Sequence, residues 1–191
     1  MTAGPVLGVD GCRGGWVGIV LPADGGVHAV FGTTVGDVVA AATAVAGPPV
    51  AVGVDMPLHL SAAGWRPCDQ AVRGHLGTRR SSVFPVPPAP AMAAPDYPTA
   101  CDVCRGLTGK AFSKQLWMLR PKMVELDAWW TAAGGPATVG EAHPETSFSL
   151  LAGAAIAAPK RTWHGLVARR AALAGAGIVM PDDLGVAGRR A

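Results

Sequence analysis

The chain contains 191 residues, of which 50% are hydrophobic and 15% are charged. A chain of this length can bury the core of one α/β domain, and this composition excludes a disordered, solvated protein. The net charge of +3 is compatible with a phosphate-bearing partner, although nucleic-acid binders usually concentrate more positive charge.

The N-terminal part of the chain predicts a sheet with one helix. Three short apolar runs separated by turn residues, at 6–10, 16–21 and 27–31, predict an antiparallel meander of strands. The Ala/Val-rich stretch 35–46 precedes a Gly-Pro-Pro sequence and predicts a helix. A fourth strand is expected at 50–55, and it should return parallel to the first strand by a right-handed crossover.

The rest of the chain predicts a proline-rich segment followed by helices. The closely spaced prolines between 85 and 98 exclude a regular helix there. Residues 114–130 have helical spacing, with a break expected near Pro121. A last strand is expected at 138–141, followed by one helix that begins near Pro144 and another at 162–175.

These elements predict an α/β protein with a mixed five-stranded sheet, in which an antiparallel three-strand meander joins parallel strands. Helices flank the sheet, and a Pro/Arg-rich insert is expected at about 58–135. We predict that residues 1–191 form a single domain.

Acidic residues end the apolar strands in a repeated pattern. Gly8-Val9-Asp10 and Gly53-Val54-Asp55 are two copies, and Val139-Gly140-Glu141 is a looser third. Parallel neighbours about 4.8 Å apart would bring Asp10 and Asp55 together at the carboxyl edge of the sheet. Close carboxylates repel each other, and Mg²⁺ or Mn²⁺ would supply the counter-charge. An Asp after a strand is also common as a turn residue, so the pattern alone leaves both interpretations open.

The four cysteines are too few for a disulfide scaffold and favour a reducing compartment. Cys101 and Cys104 form one C-x-x-C pair, whereas a structural zinc site normally needs a second pair or spaced histidines. Incidental thiols are therefore the favoured interpretation. No signal peptide is evident, and no apolar stretch approaches the roughly 20 residues of a membrane span. We expect a cytoplasmic protein without a membrane partner.

Ordered blocks of sequence carry a resemblance to a known family. The blocks are 8–16, 52–58, 66–69, 79–85, 113–117, 121–123 and 141–148. They resemble the predicted RNase H-like nucleases grouped as domain of unknown function 429, and they cover most of the chain. The resemblance implies an RNase H-like fold, with Asp10, Asp55 and Glu141 as catalytic ligands of Mg²⁺ or Mn²⁺. It further implies phosphodiester hydrolysis of nucleic acid.

The last matching block contains two further candidate residues. By the resemblance, Glu145 is a catalytic residue that acts as a ligand or a base, and His143 beside it is a substrate-binding residue. An alternative is that His143-Pro144-Glu145 simply begins a helix, with proline in its first turn and Glu145 at the favourable end of the helix dipole.

Basic and aromatic residues are the candidates for substrate contacts. Contacts with the phosphates of nucleic acid or of another phosphorylated substrate are expected from Arg13, Arg73, Arg79, Arg80 and Lys122. The same interpretation extends to Arg66, Asp69, Lys110 and Lys114, although runs such as Arg79-Arg80 are often only a solvated face. Trp65, Trp117, Trp129 and Trp130 could stack on bases, but the last three have the helical spacing of core residues.

Two alternatives to a nuclease remain. The family carries a further C-terminal helix with an Asp, which this chain is expected to lack; Asp182 or Asp183 could substitute but resemble cap residues. The first alternative is therefore a non-catalytic module that binds nucleic acid or phosphate after losing its last metal ligand. The second is an ATP-binding protein of the actin and sugar-kinase class, which would need a second domain.

Overall fold

A computed structural model of the chain describes residues 4–132 and 138–190. Its strands are β1 (Val6–Cys12), β2 (Gly15–Leu21), β3 (His28–Gly32), β4 (Ala51–Val54) and β5 (Val139–Glu141). Its helices are α1 (Val35–Ala46), α2 (Pro67–His75), α3 (Ala89–Met92), α4 (Tyr97–Thr108), α5 (Lys114–Met118), α6 (Arg120–Ala132), α7 (Pro144–Ala152), α8 (Trp163–Gly175) and α9 (Gly185–Gly188), and a 3₁₀ helix covers Gly77–Ser82. Within the described ranges, none of these helices has the length and apolar character to cross a membrane.

These residues form two compact units. The first, here called the sheet unit, consists of 4–56, 125–132 and 138–190. The second, here called the helical unit, consists of 57–124.

The sheet unit is built on one mixed sheet with the strand order β3-β2-β1-β4-β5. The first three strands form an antiparallel meander, and β4 pairs parallel with both β1 and β5. The parallel pairing follows from α1, which carries the chain from β3 back to the start of β4. The predicted α/β class and mixed five-stranded sheet are confirmed.

One face of the sheet forms the hydrophobic core. Side chains alternate along each strand, so Leu7 and Val9 are buried on the same face as Val52 and Val54. Helix α1 covers this face with its buried residues Val35, Val38 and Ala42. A Cβ atom at Gly18 would lie 2.7 Å from Val38 Cγ1, so the glycine permits this close packing.

Glu125 of α6 ties the sheet to α1. Its Oε1 atom accepts hydrogen bonds from the indole Nε1 of Trp16 at 2.9 Å and from the backbone N–H of Val35 at 2.8 Å. Trp16 is fully buried, and the bond satisfies its single polar atom. This carboxylate therefore joins β2, α1 and α6.

The helical unit contains a short helix in the proline-rich stretch 85–98, where the sequence predicted no regular helix. Helix α3 makes a single turn with Pro90 at its second position, so the prediction for 85–98 is wrong at Ala89–Met92. Proline is tolerated in the first turn because its missing N–H would have no partner there. The same reason explains Pro67 at the start of α2 and Pro98 at the start of α4.

Predictions for the later helices agree with the structure. The chain breaks between α5 and α6 at Leu119, just before Pro121, which lies in the first turn of α6. Helix α7 begins at Pro144, and α8 covers nearly the whole predicted range 162–175.

Candidate active site

Asp10 and Asp55 lie opposite each other at the carboxyl ends of parallel strands. The register pairs Val9 with Val54, and the backbone N–H of Asp55 donates to the carbonyl of Val9 at 2.9 Å. Because side chains alternate, both aspartates lie on the face opposite Val9 and Val54, away from the core. Asp10 is exposed, and Asp55 is half-buried. Gly8 precedes Asp10 on this face, where a Cβ atom would meet nothing closer than 4.0 Å.

The environment of Asp55 disfavours its negative charge. Burial, and after it the charge of Asp10, raises the pKa of Asp55 to about 6 from its ordinary 3.8. The positive charges of His143 and Lys160 oppose this shift but do not cancel it, and Glu141 adds a smaller rise. The two aspartates therefore form an electrostatically strained pair that a bound cation would relieve.

Glu141 does not join the aspartates on their face. The register pairs it with Val54, and the next residue, Ala142, donates its N–H to the carbonyl of Val54 at 2.9 Å. Alternation therefore directs Glu141 to the same face as Val54 rather than that of Asp55. Over residues 4–132 and 138–190, no cluster of three or more His, Cys, Asp or Glu side chains has a placement suited to a metal ion.

The carboxylate of Glu145 is held in a buried ion pair. Its two oxygens accept hydrogen bonds from Nη2 of Arg169 at 2.8 and 2.6 Å, and both residues are buried. Glu145 lies in the first turn of α7, and Arg169 lies in α8, so the pair joins the two helices. The position of Glu145 in the first turn of α7 is the one expected when His143-Pro144-Glu145 begins a helix.

Arg169 also holds the segments that carry the two cations near Asp55. The guanidinium of Arg169 binds Glu145, which follows His143 by two positions. It also donates from Nη1 to the carbonyl of Ala158 at 3.1 Å. Ala158 precedes Lys160 by two positions. Lys160 is absent from the residues predicted from sequence because Pro159-Lys160-Arg161 has no spacing that marks a site. Its proximity to Asp55 arises from the tertiary fold.

The predicted phosphate-binding residues belong to both units. Arg13 is exposed in the turn between β1 and β2 of the sheet unit. Arg73 of the helical unit donates from Nη1 to the carbonyls of Arg80 at 3.0 Å and Val83 at 2.5 Å, which fixes its guanidinium. Arg79 and Arg80 lie in the 3₁₀ helix, and Lys122 lies in α6.

Several of the remaining candidate residues make structural contacts. All four cysteines lie within the described residues and are free thiols, with Cys101 and Cys104 buried in α4. Asp182 pairs with Arg170 at 3.3 Å, and Asp183 Oδ1 accepts from the N–H of Gly185 at 2.7 Å at the start of α9. Trp117 packs against Tyr97 and Phe112, as its helical spacing suggests.

Comparison with known proteins identifies the family but no characterised relative. Residues 8–191 match the model of the family described as Protein of unknown function (DUF429). No curated protein and no solved structure matches this chain. Because the match covers nearly the whole chain, the protein belongs to the DUF429 family.

Proposed function

We propose that the protein is a metal-dependent nuclease of the RNase H-like superfamily that hydrolyses phosphodiester bonds in nucleic acid. The observation that supports this proposal best is the neighbouring position of Asp10 and Asp55, which directly follow the paired residues Val9 and Val54 on one face of the sheet. The pKa of about 6 at Asp55 adds support, since functional sites concentrate such perturbed groups. The family resemblance in the sequence points to the same chemistry.

The two aspartates fit a magnesium or manganese ion. Mg²⁺ usually keeps several waters and is bound by one or two carboxylates together with substrate phosphates. Asp10 and Asp55 provide two such carboxylates on one face, and their mutual repulsion favours a bound cation. When bound, the ion would polarise the phosphodiester and lower the pKa of a coordinated water.

Neighbouring residues have defined roles in this proposal. Lys160 offsets the charge of a substrate phosphate near Asp55, because its own charge already acts on that carboxylate. His143 also acts electrostatically on Asp55, and in this proposal it is the residue that transfers a proton during hydrolysis. Arg169 positions both through its bonds to Glu145 and Ala158.

Asparagine variants of the two aspartates test the proposal. With Mn²⁺ and fluorescently labelled single-stranded and duplex oligonucleotides, Asp10→Asn and Asp55→Asn should each reduce the cleavage rate on the order of 100-fold or more, because loss of a ligand removes several kcal/mol of transition-state stabilisation. Asp24→Asn changes an exposed aspartate in the β2–β3 turn and is the matched control. Equal cleavage by the wild type and both site variants would contradict the proposal.

A non-catalytic nucleic-acid-binding module is the second candidate. It is favoured by the placement of Glu141 on the other face of the sheet and by the ion pair that holds Glu145. For this function we expect oligonucleotide binding that weakens steeply with salt, without turnover at any metal concentration. Fluorescence anisotropy across a salt series, run beside the cleavage assay, separates the two functions.

A further inference from the structure

The helical unit contains a cavity that the proposed nuclease chemistry does not use. It has a volume of about 400 Å³, and its lining includes three aromatic residues, Trp65, Phe84 and Phe112, and two cations, Arg73 and Lys110. All of these residues belong to 57–124. We infer that this cavity binds a nucleotide, with the base against the aromatic rings and the phosphate at the two cations.

The aromatic residues provide a surface for a base. Phe84 leaves 43% of its surface exposed, and Trp65 is half-buried. Phe112 is buried, and its ring is fixed edge-on against Tyr97 with centroids 5.7 Å apart. The hydroxyl of Tyr97 donates to the carbonyl of Phe112 at 2.7 Å, which fixes the backbone at the same point. A base stacked on Phe84 and Trp65 would cover exposed apolar surface, and the fixed ring of Phe112 belongs to the same lining.

The charges of the cavity favour an anion. The lining also includes Asp69, but its carboxylate is buried and accepts from Arg66 at 3.2 and 2.5 Å and from the N–H of Val86 at 2.8 Å. The positive charge of Arg66 thus offsets the negative charge of Asp69. Arg73 and Lys110 are then the charges that a ligand in the cavity would meet. The guanidinium of Arg73 is held in place because its Nη1 donates to two backbone carbonyls. The arginine side chain therefore loses little entropy when a ligand binds.

The combination selects one class of ligand. A volume of about 400 Å³ lies within the usual range for small-molecule sites, roughly 300–1,000 Å³. A lining that combines aromatic rings, a lysine and a fixed arginine matches a molecule that carries both an aromatic base and a phosphate. A free nucleotide and one nucleotide of a single strand share this chemistry.

Calorimetric titration with defined probes tests the inference. The probes are adenosine 5′-monophosphate, adenosine, inorganic phosphate and a 5′-phosphorylated DNA tetranucleotide, all in EDTA so that binding is measured without metal-dependent cleavage. The wild type should bind the monophosphate or the tetranucleotide more tightly than adenosine or phosphate. The tighter of these two probes identifies the source, a free nucleotide or a strand.

Two variants separate the base contact from the phosphate contact. Phe84→Leu keeps an apolar side chain at an exposed position but removes the ring, and it should weaken monophosphate binding about tenfold. Lys110→Gln should weaken binding of the monophosphate and flatten its salt dependence, while adenosine binding stays unchanged. Trp163→Leu and Arg105→Gln are controls at exposed positions outside the cavity, and both should bind as the wild type does.

The inference is overturned if the wild type binds none of the nucleotide probes at millimolar concentration. It is also overturned if Phe84→Leu and Lys110→Gln both bind with wild-type affinity. Circular dichroism of each variant establishes that a loss of binding does not reflect unfolding. Because the titration needs neither metal nor cleavage, its failure leaves the proposed nuclease activity untouched, and an inactive nuclease would leave this inference standing.

Discussion

Asp55 illustrates how a single side chain can oppose the stability of the fold that contains it. It lies half-buried at the end of β4 with Asp10 on the neighbouring strand. Burial and the charge of Asp10 raise its pKa to about 6, against 3.8 in an unperturbed chain. Between these two values the folded protein binds more protons than the unfolded chain, so the free energy of unfolding falls as the pH rises.

The variant Asp55→Asn should therefore remove this pH dependence. Above about pH 7 we expect the free energy of unfolding of the variant to exceed that of the wild type by about 1 kcal/mol. The gain is this small because solvent screens part of the repulsion between Asp55 and Asp10. Urea unfolding at about pH 4 and about pH 7.5 measures the difference between the two conditions. Asp24→Asn, in an exposed turn, should leave the wild-type slope intact. If Asp55→Asn also keeps that slope, the raised pKa is wrong.

At the scale of elements, α7 and α8 depend on one buried ion pair. Glu145 and Arg169 are both buried, and the guanidinium also donates to the carbonyls of Ala158 and Gly165, the latter at 2.9 Å. The ring of Phe148 lies 5.6 Å from the guanidinium carbon. The arginine thus holds α7, the start of α8 and the loop between them in one arrangement.

Removing one partner of this pair should be costly. In Arg169→Met the carboxylate of Glu145 stays buried without its counter-charge, and we expect a loss of about 3–5 kcal/mol in the free energy of unfolding. Arg170→Met is the matched control, because Arg170 is exposed and its pair with Asp182 spans 3.3 Å at the surface. That control should cost less than about 1 kcal/mol by urea unfolding. A similar loss in the two variants would show that the buried pair has no special role.

At the scale of the whole molecule, the candidate site depends on the complete sheet unit. Asp10 and Asp55 come from two strands, and His143 and Lys160 come from segments that follow β5 and α7. No two of these four residues are close in the sequence. A metal ion bound here would therefore be linked to the global unfolding of this unit.

Thermal unfolding with Mn²⁺ should show this linkage. An ion at a concentration about 100 times its Kd stabilises the folded state by about 2.7 kcal/mol, and the Tm should rise accordingly. The rise should be larger at about pH 7.5 than at about pH 5, since Asp55 with its pKa of about 6 must lose its proton before it can act as a ligand. Asp10→Asn should abolish the rise, and Asp24→Asn should keep it. An equal rise in Asp10→Asn would place the ion elsewhere.

The helices of 57–124 show where local patterns were insufficient. The closely spaced prolines at 85–98 predicted the absence of a regular helix, yet Pro90 and Pro98 each lie in the first turn of a helix. Whether a proline ends a helix or begins one depends on where the helix starts. At α2 the start is also marked by a buried ion pair, which joins Arg66, the residue before the helix, to Asp69 in its first turn.

The sequence by itself determined the sheet elements and the position of the aspartates. Apolar runs and turn residues specify β1 to β4 and α1, since alternation and capping act between neighbours along the chain. Only the tertiary structure decided the rest of the site. The register of β5 against β4 sets Glu141 level with Val54 rather than with Asp55, and the bonds of Arg169 occupy Glu145 while holding the segment of Lys160. The strand register and the Glu145–Arg169 ion pair join residues far apart in the chain, and no local pattern encodes them.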